Sequence, residues 1–189
     1  MTDGVLDSRR MALEEAFFAR HNEALRQGMI AADVADTRHD ALTAATGITD
    51  LSALGRIEAL GVGQETLVAL TLAPLVLVAW ADGAVAPEEA AEIRRGAAAN
   101  GLKAESPAGT LLAAWLATPP PPALEAAWRD YVAALTQRLS AEARSALAAQ
   151  VLSQARAVAE AQGGFLGLTG RVSGRERQVL DRLEAAFEP

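Results

Sequence analysis

Residues 67–83, with the sequence LVALTLAPLVLVAWADG, decide the fold, because they form the most apolar stretch of the chain. Leucine, valine and tryptophan side chains fall on nearly all sides of a helix drawn through this stretch, which is typical of a central helix covered by its neighbours. Pro74 either starts a second helical segment or kinks the first. A membrane span needs about 20 apolar residues, and this stretch is shorter, so we expect a buried core helix and no membrane span.

The composition of the whole chain favours helices. Alanine (44) and leucine (25) are strong helix formers, and they far outnumber valine and isoleucine (16 together) among the 189 residues. This ratio predicts an all-α fold. Cysteine is absent and there are only two histidines, which excludes disulfides, thiol nucleophiles and thiolate metal sites. We therefore expect no enzymatic activity, and the formal net charge of −7 disfavours nucleic acid as a partner.

The chain divides by composition into two parts. Residues 1–63 form a charged helical segment, with a helical hairpin that turns near Gly28 and a short connector helix over 51–60. Residues 64–189 form a more apolar helical domain. The first ten residues are charged and no apolar stretch follows them, so we expect a cytoplasmic protein.

The apolar spacing and the cap residues predict a bundle of seven to nine helices. After the central helix, helices are expected from Pro87 to Asn100, from Pro107 to Leu116, from Pro122 to residue 138, from Ser140 to Gln162, and from Ser173 onward. A capping box of Ser173 and Glu176 opens the last of these helices.

A short motif occurs twice, 80 residues apart. VAWADG at 78–83 matches VAEAQG at 158–163. Each of these stretches is followed by a second one that begins with valine and ends with glutamate, VAPEE at 85–89 in the first copy and VSGRE at 172–176 in the second. Each copy runs from a helix through a glycine turn and a valine to a new helix, whose third position carries a carboxylate. Two such helix pairs would pack their apolar faces together in a pseudo-twofold arrangement.

The stretch VAWADGAVAPEE at 78–89 resembles the TerB-like tellurite-resistance family, and the resemblance extends over roughly residues 64–187. It implies a small, all-helical, non-enzymatic accessory protein in metal or stress response. It also implies that acidic residues near the Asp-Gly turn bind a divalent cation, calcium, magnesium or manganese. By position these residues are Asp82 and Glu89, followed by Glu88 and Glu92. The second copy departs from the family pattern, because Gln162 stands where the first copy has an aspartate.

The residues themselves leave two interpretations of this acidic cluster open. A turn and a helix N-terminus offer several oxygen ligands to a hard cation, although the spacing is not that of an EF-hand. Alternatively, Asp82 fits the turn, and Glu88 and Glu89 complement the positive end of the helix dipole. Arg171, Arg175 and Arg182 form a basic stripe that either is solvated or pairs with the acidic face, within the chain or across a homodimer.

A second functional hypothesis concerns the N-terminal segment. The stretches EAF at 15–17 and EALR at 23–26 resemble the opening of the zeta inhibitor of bacterial ATP synthase. This resemblance implies a protein-interaction module with an unknown protein partner and no metal site. The glycine-rich loop at 163–170 lacks the lysine of a P-loop and follows a helix, so it does not predict a nucleotide site.

Overall fold

The computed structural model describes residues 23, 26, 27, 34–161 and 172–188. Nine helices and no strand occur within residues 34–161 and 172–188, which confirms the predicted all-α fold with seven to nine helices. The helices are α1 (34–46), α2 (Leu51–Ala59), α3 (Leu67–Thr71), α4 (Ala73–Ala79), α5 (Pro87–Ala99), α6 (Pro107–Ala117), α7 (Leu124–Thr136), α8 (Ala141–Ala161) and α9 (Gly174–Ala185). Within this described part of the chain, no helix combines the length and the apolar content needed to cross a membrane.

Two compact units divide the chain, Met1–Asp40 and Ala41–Pro189. In the first unit, Glu23 accepts hydrogen bonds from Arg26 and Gln27 on one helical face. The expected hairpin turn at Gly28 lies outside the described residues, as does the first helix of the hairpin apart from residues 23, 26 and 27.

The second unit begins earlier than the sequence suggested. Leu54, Ile57 and Val62 are almost fully buried in the same core as the later helices, and α2 packs against α7. Residues 41–63 therefore belong to the larger unit, and the boundary expected between 63 and 64 is corrected to the position between 40 and 41. Asp50 caps α2, because its carboxylate accepts a hydrogen bond from the Ala53 backbone N–H at 2.7 Å.

Helix α4 is the centre of the larger unit. Six of its seven residues are buried, and it packs against α3, α5, α7, α8 and α9. Pro74 lies in the first turn of α4, while α3 ends at Thr71, so of the two predicted alternatives the proline starts a second helical segment. The all-round apolar pattern of this stretch is explained by neighbours on nearly every side.

The repeated motif falls on two helix pairs, α4 with α5 and α8 with α9. Helix α8 packs against both α4 and α5, and α9 packs against both α4 and α8. The apolar faces meet through side chains such as Ile93, Val158 and Leu183, each of which is at most 1% exposed. The predicted packing of two helical pairs is therefore present in the described residues.

Helices α6 and α7 complete the core. Trp128 on α7 is 1% exposed and makes an edge-to-face contact with Phe187, with the ring centroids 5.9 Å apart. Helix α7 starts at Leu124, two residues after the expected start at Pro122, because a turn in which the Leu124 N–H bonds the Pro121 carbonyl precedes it. Helix α6 packs against α3 and places the loop after it, residues 118–123, near the end of α4.

Candidate functional site at the acidic turn

The turn after α4 brings the first candidate residue into place. The Gly83 N–H closes the turn on the Trp80 carbonyl at 3.0 Å, and Gly83 adopts a φ of 101°, a conformation that side-chain-bearing residues rarely take. The Asp82 carboxylate accepts a long hydrogen bond from the Ala84 N–H at 3.3 Å. Asp82 is otherwise exposed, so its carboxylate is both a turn former and an accessible charge.

Glu89 is the buried member of the predicted set. It occupies the third position of α5, where its Oε2 accepts a hydrogen bond from the Ala86 backbone N–H at 2.8 Å. The residue is 2% exposed. Glu89 therefore satisfies an otherwise unpaired donor at the helix start and carries its carboxylate into the interior of the bundle.

Glu176 repeats this arrangement at the start of α9. Its backbone N–H donates to Ser173 Oγ at 3.2 Å, and its Oε2 accepts from the Ser173 N–H at 2.5 Å, which confirms the predicted capping box. Glu176 is 5% exposed. The chain thus buries two carboxylates, each at the third position of the second helix in a repeated pair.

The charge of Glu176 acts on the carboxylate of Glu89. The pKa of Glu89 is raised from its usual 4.5 to about 7, first by burial and then by the negative charges of Asp82, Glu176 and Glu88, although the bond from the Ala86 N–H opposes the rise. Burial disfavours the charged form, and neighbouring like charges add to that cost. Glu89 therefore exchanges a proton near neutral pH, which an exposed glutamate does not do.

Glu176 was absent from the residues predicted for the site. The signal that could have found it was the repeat itself, which aligns the glutamate of VSGRE with the second glutamate of VAPEE. The prediction instead grouped carboxylates that are neighbours in the sequence. Only the tertiary packing of α9 against α4 places Glu176 where its charge acts on Glu89.

The predicted carboxylates Glu88 and Glu92 do not form a cluster with the buried pair of Glu89 and Glu176. Glu88 is exposed on the outer side of α5, and Glu92 forms an ion pair with Arg95 one turn further on. Among the described residues, no group of three or more histidine, aspartate and glutamate side chains is arranged to hold a metal ion. The four predicted carboxylates therefore form no preassembled cluster, since Glu88 is exposed and Glu92 is paired with Arg95.

Two residues of the predicted basic stripe, Arg175 and Arg182, lie on α9. Arg175 donates to the Asp82 backbone carbonyl at 3.3 Å, and Arg182 pairs with Glu125 on α7 at 3.0 Å. Arg171 and the glycine-rich loop at 163–170 lie outside the described residues. The pairing of Arg182 is thus with α7 and not with the Glu88–Glu92 face.

Comparison with known proteins adds no further assignment. No family model, curated protein or solved structure matches the chain. The TerB-like resemblance remains a prediction from the motif at 78–89.

Proposed function

We propose that this chain is a non-enzymatic binding protein of TerB-like type that takes up a divalent cation at its acidic turn. The observation that carries the proposal is the pair of buried glutamates, Glu89 and Glu176, at two separate helix starts, with the charge of Glu176 acting on Glu89. Buried carboxylates that repel each other favour a proton or a cation between them.

The donor set suits a partly hydrated ion. Each glutamate uses Oε2 for its cap, and no described residue donates a hydrogen bond to either Oε1. Asp82 adds negative charge that also acts on Glu89, but it does not join the two glutamates in a preassembled group of three metal ligands. Magnesium keeps several of its waters and binds through one or two carboxylates, whereas calcium takes about six to eight oxygen ligands. We therefore expect magnesium and manganese to bind in preference to calcium.

Proton competition is a consequence of the same geometry. The protonated form of Glu89 is a poor cation ligand, so the cation must displace the proton before it binds. Because the pKa of Glu89 is about 7, binding should strengthen as the pH rises through neutrality. The binding affinity of a site built from ordinary exposed carboxylates would not change over this range.

A thermal-shift experiment tests the proposal. Chelator-treated protein is melted with and without magnesium, manganese or calcium, alongside Glu89→Gln and Glu176→Gln. At a cation concentration ten times Kd, binding stabilises the folded chain by about 1.4 kcal/mol, which raises Tm by about 3 to 6 °C. Both variants should lose this rise, while Glu92→Gln, whose carboxylate pairs with Arg95, should keep it. A rise that survives in both glutamate variants would place the cation elsewhere.

The biological setting is a separate part of the proposal. The resemblance to TerB-like proteins suggests a role in metal or stress response. The family takes its name from one such response, resistance to tellurite. The alternative, an inhibitor-like interaction module, depends on residues 15–26, of which the structure describes Glu23 and Arg26. These two residues pair with each other on one helical face.

A further inference from the structure

A groove of about 520 Å³ lies beside the acidic turn, between the end of α4, the proline loop after α6, and α9. Its apolar surface comes from Leu77, Trp80, Pro119, Pro120 and Val179. The volume falls within the range of about 300 to 1,000 Å³ that is typical of ligand pockets. The four prolines at 119–122 therefore do more than link two helices, because two of them line this groove.

The walls of the groove are held in place before any ligand arrives. The Trp80 indole N–H donates to the Trp115 carbonyl at 2.8 Å, which fixes the ring at the end of α4. Proline has a fixed φ, so the loop segment that faces the tryptophan has little freedom to lose on binding. A preformed apolar surface of this kind lowers the entropic cost of binding.

The charged side chains that line the groove are basic, although the chain as a whole carries a net charge of −7. Arg175 and Arg182 line it, and none of its described lining residues is acidic. Arg175 is exposed and donates to a backbone carbonyl, so its charge is not neutralised by a carboxylate among the described residues. Arg182 forms an ion pair with Glu125, but about half of its side chain, 48%, remains exposed.

The spacing of the two arginines fits one kind of ligand. They are seven residues apart on α9, which is about 10.5 Å along the helix axis. A polyproline II segment rises about 3.1 Å per residue with three residues per turn, so positions i and i+3 lie on one side, about 9.3 Å apart. Trp80, Pro119 and Pro120 supply the aromatic and proline surface against which such an extended segment packs.

We propose that this groove binds an extended acidic segment of a partner protein, with carboxylates at positions i and i+3 on Arg175 and Arg182 and an apolar side chain between them on Trp80. Arginine binds carboxylates through charge-assisted hydrogen bonds in a fixed fork geometry. The apolar side chain would fill the space between Trp80 and Val179. This inference does not rest on the proposed cation site, although the groove adjoins it: Gly83 of the acidic turn lines the groove, and Arg175 donates to the Asp82 carbonyl.

The test uses the full chain in chelator and a fluorescein-labelled peptide, EPLEPLE, followed by fluorescence anisotropy. We expect saturable binding that weakens as salt is added. The peptide EEEPLPL has the same composition with adjacent glutamates, and KPLKPLK reverses the charge; both should bind at least tenfold more weakly. The double variant Arg175→Gln with Arg182→Gln should lose at least tenfold in affinity for EPLEPLE. The matched control is Arg177→Gln, because Arg177 is exposed on the same helix but does not line the groove.

Each other outcome overturns the proposal. Failure of EPLEPLE to bind the wild-type chain would exclude this ligand class. Equal binding of EEEPLPL would exclude the spacing, and full competition by citrate would show a general anion site instead of a peptide site. Retained binding in the double variant would place the peptide elsewhere on the surface. Circular dichroism of each variant, compared with the wild type, confirms that the helices are intact.

Discussion

The replacement Glu89→Gln should change how the stability of the chain depends on pH. In the folded state the pKa of Glu89 is raised from 4.5 to about 7, so the folded chain binds this proton more tightly than the unfolded chain. The resulting stabilisation is fully present below the unfolded pKa and is lost as the pH rises through about 7. Between about pH 5 and about pH 8, the wild-type free energy of unfolding should therefore fall by about 2 to 3 kcal/mol, at about 1.4 kcal/mol per pKa unit.

Glutamine keeps the side-chain oxygen that accepts the Ala86 N–H but carries no charge at any pH. The variant should accordingly lose most of this pH dependence and be more stable than the wild type at about pH 8, by an amount that shrinks towards about pH 5. Urea unfolding in the presence of a chelator, at several pH values, measures both effects.

The exposed neighbour Glu88 provides the control for this experiment. Glu88→Gln removes one of the smaller contributions to the raised pKa of Glu89, so most of the wild-type slope should remain. The reasoning is refuted if the wild-type free energy of unfolding is flat between about pH 5 and about pH 8. It is equally refuted if the Glu89→Gln slope equals the wild-type slope.

Three further predictions concern the fold that holds the site. Gly109→Ala should lower the free energy of unfolding by about 1 to 3 kcal/mol, because a Cβ at this position would lie 2.2 Å from the Lys103 carbonyl oxygen. Thermal unfolding measures this loss, and unchanged stability would contradict the tight packing of α6. Ser173→Ala should cost about 1 kcal/mol in urea unfolding, since it removes one half of the α9 capping box, and a neutral result would mean that the cap contributes little. In a double-mutant cycle, Arg56→Ala and Asp130→Ala should show a coupling free energy of about 0.5 to 1 kcal/mol, because this half-buried ion pair joins α2 to α7. A coupling free energy of zero would show that apolar contacts alone hold the two helices together.

The helices were predictable because their signals are local. Pro74 lies in the first turn of its helix and Ser173 with Glu176 caps α9, as the sequence indicates, and Asp50 caps α2 through its own carboxylate. In each case the side chain bonds or blocks a backbone group within a few residues of itself. The apolar stretch at 67–80 was also informative, because a helix that is apolar on every side is stable only when it is covered.

The features that the sequence does not predict depend on contacts between distant parts of the chain. The domain boundary was misplaced because α2 looks like a connector in sequence, while its buried face is completed only by α7. Glu176 was not assigned to the site, since its charge reaches Glu89 through the packing of α9. The groove beside Trp80 combines residues from three separate segments, so no residue spacing within a single helix predicts it.

The most direct test of the proposed cation site is the number of protons released when the cation binds. Magnesium or manganese is titrated into the chelator-treated protein by calorimetry, in two buffers whose ionisation enthalpies differ, at about pH 6, 7 and 8.5. Because the cation must displace the proton of Glu89, whose pKa is about 7, the account predicts nearly one proton released at the lowest pH, about half at neutral pH and almost none at the highest. Binding without pH-dependent proton release, or no saturable heat with either metal, would contradict it.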